Sequence, residues 1–327
     1  MELVLTALLL IVSILAIGKG SDWLTDSLIP IARKLGVSGS SVGLILVSAA
    51  VSLPEILVAV YATVNGFPAI SFGVVLGSII CNIGLMTGLS ALVRPLKVNP
   101  IVILRDGIFS IVVPILVFAV SAGGQITRLE GLAFFLLFIP YTINVFLHEK
   151  QRTKAEKSAD VQEVLIELDL ICFDFGKLKP GWFSFALGLT VLLVGAQIFG
   201  AQLIGLAERF RINELVIGLT IGAIGPSVPN IVAAHNATKK GMGEIAVSET
   251  LGSNIFTMLV TLGISAMLAP VIISGEWIRF DLPALVIMSV LLFVFLLTKQ
   301  GISRREGLVL LGGYLTIVVI QVIRGLS

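Results

Sequence analysis

The stretch Ser48-Ala49-Ala50-Val51-Ser52-Leu53-Pro54-Glu55 returns 175 residues later as Ala223-Ile224-Gly225-Pro226-Ser227-Val228-Pro229-Asn230. Working outward from these two octapeptides, Val42 to Pro95 aligns with Ile217 to Pro270 without a gap. Ser52, Pro54, Ile56, Ala59, Ala62, Thr63, Gly66, Gly77, Ser78, Ile80, Gly88, Ser90, Ala91 and Pro95 each meet an identical residue in the second copy. Both copies are apolar, long enough to cross a bilayer, and interrupted at the same place by Pro, Ser and a carboxylate or amide. A duplicated membrane unit of this kind builds a polar site between its two copies.

The whole chain has the composition of a membrane protein. Of 327 residues, 57% are hydrophobic and 13% charged, and the mean hydropathy is +1.07, so there is too little polar surface to cover a water-soluble globule of this size. A bilayer core of about 30 Å asks for roughly 20 apolar residues per helix. About ten such spans can be marked, five before and five after a charged central stretch: Leu3 to Ile17, Val42 to Val64, Ile70 to Val93, Ile101 to Val120 and Leu132 to Leu147, then Phe183 to Leu206, Val216 to Ala237, Ile245 to Leu268, Leu282 to Leu297 and Leu308 to Ile323. The expected fold is therefore an all-α integral membrane protein of about ten transmembrane helices. Its parts are a first repeat over residues 1–148, a linker loop over 149–179 and a second repeat over 180–327.

The apolar run behind Glu2 has no basic residue before it and no small-residue cleavage site after it, so it is expected to stay as a span. Cys81 and Cys172 are the two cysteines, one in a span and one in the central loop, which implies no disulfide framework. With an external N-terminus, 17 of the 22 Lys and Arg residues fall on the cytoplasmic side, Lys19, Arg33 and Lys34 among them. The positive-inside rule then places both termini outside and the central loop in the cytoplasm. Five crossings per half mean that the second copy enters from the opposite side, so the repeats are inverted. A stretch such as Val161 to Ile171 could form a short amphipathic piece, but a loop of this length is a linker first.

Glu55 needs a physical reason to sit in a span, because an ionised group at the centre of a membrane helix costs about 2.5 to 3.5 kcal/mol on insertion scales. Pro54 removes a backbone donor, which frees carbonyls near Ala50 and Val51 and breaks the helix at the midplane. Freed carbonyls, hydroxyls and one carboxylate make an oxygen cage suited to a hard cation. The second copy has two prolines, Pro226 and Pro229, for an expected break at least as strong, but offers the neutral amide of Asn230 where the first has Glu55. Gly77-Ser78 and Gly252-Ser253 suit close helix approach and add hydroxyl oxygens.

The paired signature Ser52-Leu53-Pro54-Glu55 with Gly77-Ser78 and Asn82, then Ser227-Val228-Pro229 with Gly252-Ser253-Asn254, resembles the cation/Ca2+ antiporter superfamily, in particular prokaryotic sodium/calcium exchangers. The likeness covers nearly the whole chain in span number, central loop and inverted duplication. It implies a midplane site made by Glu55, Ser52, Ser78 and Asn82 of the first repeat and Ser227 and Ser253 of the second, with the carbonyls of Ser48 and Ala223. It also implies that Na+ and Ca2+ are carried as ligands, with no resident cofactor, by alternating access in which the long first and sixth spans move against the core.

Four positions depart from the family pattern: its second glutamate is Asn230, its threonines are Val51 and Pro226, and the acidic or amide position of the last site helix is Thr257. Desolvated Ca2+ calls for about two compensating charges, and Glu55 supplies one. Glu249, one turn before Ser253 on the same helix face, is the candidate for the other; it reads equally as a solvated residue at a helix start. Asn230 reads as a cation ligand or as a hydrogen-bonding bridge between helices. His235 reads as a packing histidine before a proton relay, and Asp22, Asp26 and Asp106 are expected at interfaces.

Na+/Ca2+ antiport is the leading expectation, with monovalent or proton-coupled exchange (Na+/H+ or H+/cation) as the alternative that the reduced site charge keeps open. A binding-only sensor is a third reading. An enzyme is not expected, since no HExxH helix, Cys/His metal set or Ser-His constellation occurs. The expected partners are inorganic cations and the lipid bilayer of the cell membrane, with no nucleic acid.

Overall fold

The computed structural model describes residues 2–34, 49–150 and 178–326. Ser48 and the segment Val161 to Ile171 lie outside them. In the first repeat the elements are α1 (Glu2–Lys34), α2 (Leu53–Val64), α3 (Pro68–Cys81), a π-helical turn (Asn82–Thr87), α4 (Gly88–Val93), β1 (Leu96–Lys97), α5 (Pro100–Ser121), β2 (Gln125–Ile126) and α6 (Arg128–Lys150). The second contains α7 (Trp182–Phe210), α8 (Glu214–Ile217), a π turn (Gly218–Gly222), α9 (Ala223–Lys239), α10 (Gly243–Phe256), a π turn (Thr257–Thr261) and α11 (Leu262–Leu268). It closes with β3 (Val271–Ile272), a π turn (Trp277–Asp281), α12 (Leu282–Lys299), β4 (Gly301–Ile302) and α13 (Arg304–Leu326). Among the described residues nine helical stretches are long and apolar enough to span a membrane, and α2 is a shorter apolar helix.

The two halves are copies in structure as in sequence. α3 and α10 correspond end to end at the 175-residue offset, and so do β1 and β3 and the turn glycines Gly66 and Gly241, with φ of +90° and +89°. The last helices, α6 and α13, begin with the same capping box. Glu130 Oε2 accepts from Thr127 N at 2.7 Å, and Glu306 Oε2 accepts from Ser303 N at 2.7 Å.

Pairing across the halves shows a twofold relation. β1 pairs antiparallel with β4, and β2 with β3. The N–H of Val98 donates to Gln300 O and that of Ile273 to Gly124 O, both at 2.9 Å. α4 lies against α13 where Gly88 meets Gly307, and α11 lies against α6 where Gly263 meets Gly131; a Cβ on any of the four would stand within 3.0 Å of the facing glycine's carbonyl oxygen. Lipid supplies no hydrophobic force between helices, so such close backbone contacts carry the packing.

Direction along the helices confirms inversion. α1 and α7 run antiparallel, since Gly188 meets Gly20 and Leu24 while Gly195 meets Ala16 and Ile17. α3 runs parallel to the start of the seventh span, with Gly73 on Leu215 and Gly218, and Gly77 on Leu219 and Ala223. The third, seventh and eighth spans form the interior, being 89%, 67% and 78% buried over their most apolar windows against 22% to 44% for the other six. The outer helices turn Leu, Ile, Val and Phe outward, as a lipid-facing surface requires.

Three expectations are corrected. The first helix does not end at Ile17 but continues to Lys34, and its membrane-spanning part to Leu28, so Lys19 belongs to a helix rather than a loop. There its ammonium sits 3.6 Å from Asp22 Oδ2, one turn along. Asp22 and Asp106 are 1% and 3% exposed rather than interfacial; Asp26 is half-buried. The expected break at Pro226 and Pro229 takes a milder form, because α9 runs through both prolines. The π turn at Gly218–Gly222 lies just before them, and Gly222 is the residue whose carbonyl loses its helical donor to Pro226. In the first copy the helix is interrupted at Ser52.

Candidate cation site between the repeats

The helix interruption places Ser52 at the N-cap of α2 and Glu55 in its first turn, with Pro54 between them. Pro54 fits a helix start, where its missing N–H costs nothing. Glu55 is fully buried. Its Oε1 accepts from Ser227 Oγ at 3.3 Å and from Asn230 Nδ2 at 3.4 Å, so one carboxylate of the first repeat is held by two side chains of the second. Both contacts are long for such bonds. They orient the group without satisfying its charge, and Oε2 is buried with no hydrogen-bond partner.

A second cross-repeat cluster adjoins it, one helical turn back along the chain. Ser52 Oγ donates to Ser253 Oγ at 3.4 Å, and Asn82 Nδ2 donates to Ser253 Oγ at 3.5 Å and to Asn254 Oδ1 at 3.2 Å. Asn82 and Thr257 each open a π turn at the same place in their repeats. Such turns widen a helix and recur at functional sites. Below Asn82, Thr87 Oγ1 bonds the carbonyl of Asn82 at 3.0 Å and stands 2.7 Å from Thr250 Oγ1 of α10.

The buried atoms left without a hydrogen bond here include the oxygens Glu55 Oε2, Ser78 Oγ, Asn82 Oδ1 and Thr257 Oγ1, together with one nitrogen, Asn254 Nδ2. A buried oxygen with no donor is costly, and several on facing helices suit a guest that accepts lone pairs. Hydroxyl, amide and carboxylate oxygens are the ligands of hard cations. Among the described residues no three His, Cys, Asp or Glu side chains converge, so the donor set is one carboxylate among neutral oxygens.

Of the residues singled out in the sequence, the structure brings Glu55, Ser227 and Asn230 into one cluster and Ser52, Asn82 and Ser253 into another. Ser78 and Thr257 are buried one turn before Asn82 and at the equivalent of Asn82. Ala223 is buried with its Cβ against Gly77. Glu249 is 9% exposed on α10, one turn before Ser253. His235 is half-buried further along α9. Asn254, Thr87 and Thr250 were not among the expected site residues. Asn254 stands where the first copy has Ile79, and a polar residue replacing an apolar one between repeats was the signal available.

Two inverted repeats that share a buried, oxygen-lined cluster at their interface define a secondary transporter rather than an enzyme. The family described as sodium/calcium exchanger protein matches residues 5–147 and 180–323, one copy in each half, and the chain belongs to that family. Among its relatives are the sodium/calcium exchanger MaX1 of Methanosarcina acetivorans, 29% identical over 96% of this chain and 97% of the relative, and the inner membrane protein YrbG of Escherichia coli, 30% identical over 96% and 95%. The solved sodium-calcium exchanger NCX_Mj superposes with a TM-score of 0.66 at 26% identity, covering 96% of this chain and 98% of that one.

Proposed function

We propose that this chain is a secondary active antiporter that exchanges Na+ for Ca2+ by alternating access, with Glu55 at the shared site. The observation that carries the reading is the carboxylate of one repeat buried against Ser227 and Asn230 of the other, with an oxygen left over. Glu55, Ser52, Ser78, Asn82, Ser227, Asn230, Ser253 and Thr257 form the ligand set, joined by the carbonyls of Ser48 and Ala223. Glu249 supplies the second negative charge that a desolvated divalent ion calls for. Since Glu55 serves either the divalent ion or its counter-ion at one time, occupancy couples the two flows.

The α1–α7 pair moves against the core as one body. Support comes from its backbone-close packing on itself at Gly20, Gly188 and Gly195, against a side-chain contact with the core where Tyr61 of α2 lies on Gly200. Both termini face outward and the 149–179 linker is cytoplasmic, in keeping with the distribution of Lys and Arg. The names borne by the relatives favour calcium over the monovalent and proton-coupled alternative.

Reconstituted protein with an outward Na+ gradient tests the proposal. Expected are Na+-driven uptake of radioactive Ca2+ and its loss in Glu55→Gln, a variant that removes charge at constant shape. Ion binding without flux would make the chain a sensor. Proton-driven Na+ flux without Ca2+ uptake would establish the alternative.

A further inference from the structure

The amide of Asn82 has two ends with opposite chemistry, and only its oxygen can meet a cation. Its Nδ2 faces two acceptors of α10, Asn254 Oδ1 at 3.2 Å and Ser253 Oγ at 3.5 Å. Both N–H bonds therefore point to the second repeat, and Oδ1 is buried with no donor. Rotating the Asn82 amide alone by half a turn would set its Oδ1 against the side-chain Oδ1 of Asn254, whose own Nδ2 is buried on the far side of that amide with no acceptor. Asn82 and Asn254 are 0% and 1% exposed, so water does not compete for either end.

Asn254 breaks the internal symmetry. Its counterpart in the first repeat is Ile79, fully buried in the apolar core, while the counterpart of Asn82 is Thr257. An amide standing where the duplicate carries an aliphatic side chain meets the Asn82 amide of the other repeat.

We infer that Asn254 is a positioning residue of the transport site: its side-chain carbonyl holds the Asn82 amide so that Oδ1 of Asn82 is turned toward the transported cation. Outer partners that orient a ligand typically govern metal affinity by about 10- to 100-fold. Asn254 acts through Asn82 and touches no ion itself. The inference rests on the proposed function, since it concerns a ligand of the same site.

Calcium binding to the purified full-length protein, measured by titration calorimetry, tests it in a double-mutant cycle. Asn254→Leu is expected to weaken Ca2+ binding about tenfold or more, and Asn254→Ala does the same where leucine does not fit. Asn254→Asp keeps the acceptor and is expected to hold the affinity within about threefold or raise it. The decisive arm is Asn82→Ala: once the oriented oxygen is gone, adding Asn254→Leu should cost nothing further. Full loss in both backgrounds, or unchanged affinity in Asn254→Leu, overturns the positioning role while leaving the function intact. If the unmodified protein binds neither Ca2+ nor Na+, the functional reading itself falls, and this inference with it.

Discussion

At the scale of the residue, charge is the deciding quantity. Glu55 is one buried carboxylate, and Asn230, where the family has a second, donates to it at 3.4 Å. Replacing Asn230 with Glu sets two carboxylates within hydrogen-bond reach, an arrangement that a divalent cation relieves better than a monovalent one. Asn230→Glu is therefore expected to raise the preference for Ca2+ over Na+ at least about tenfold in competition titrations, in keeping with the extra unit of charge at a desolvated site. Glu249→Gln should lower Ca2+ affinity in the native background, and Asn230→Glu should restore it. Unchanged affinity in Glu249→Gln would remove that residue from the site. The signature serines and Glu55 were legible because a polar group in an apolar run has to be explained. The partner of Asn82 was not, since contact between helices 172 residues apart leaves no local pattern.

At the scale of the element, each repeat buries an aspartate near the start of its fourth span. Asp106 is clasped by Arg105 through Nε at 2.8 Å and a terminal nitrogen at 2.7 Å, and Tyr141 Oη of α6 donates to it at 3.3 Å. Asp281 instead receives the amide of Gln321 from α13. In both cases the acid ties the fourth span to the fifth. Removing one partner of a buried ion pair costs about 3 to 5 kcal/mol because a charge is left behind. Arg105→Ala is expected to show that loss in unfolding from detergent, and Arg105→Gln with Asp106→Asn a smaller one; equal losses would mean that the pair contributes packing alone. From sequence Asp106 reads as interfacial, since it lies near a span end. The burial of both acids depends on α6 and α13 lying alongside, which only packing brings about. The length of α1 was missed for a related reason: Lys19 and Asp22 interrupt the apolar run, yet compensate each other at i, i+3 spacing.

At the scale of the molecule, the two short sheets tie loops of opposite repeats together, while α1 and α7 pack chiefly on each other. Disulfides separate fixed contacts from moving ones. A Gln125→Cys/Ile272→Cys pair, facing across β2 and β3, is expected to form and leave exchange intact. A Tyr61→Cys/Gly200→Cys pair, joining α7 to the core, should arrest it until reduced. Retained flux in the oxidised second variant would remove the sliding pair from the mechanism. Orientation has its own check: with Gly275→Cys and Lys240→Cys, both exposed, a membrane-impermeant thiol reagent should label the first in intact cells and the second only in inverted vesicles. The reverse pattern would turn the molecule over.

Duplication, span number, the inverted relation of the halves and the acid at position 55 were all determined by the chain as written, because hydrocarbon imposes length, apolarity and internal hydrogen bonding on every crossing. Tertiary structure alone decided which polar atoms meet: Glu55 with Ser227 and Asn230, Asn82 with Asn254, Asp106 with Tyr141. Those meetings depend on how closely backbones approach at glycines and where π turns rotate a helix face, and both are set by the neighbouring helix rather than by the residues along the chain.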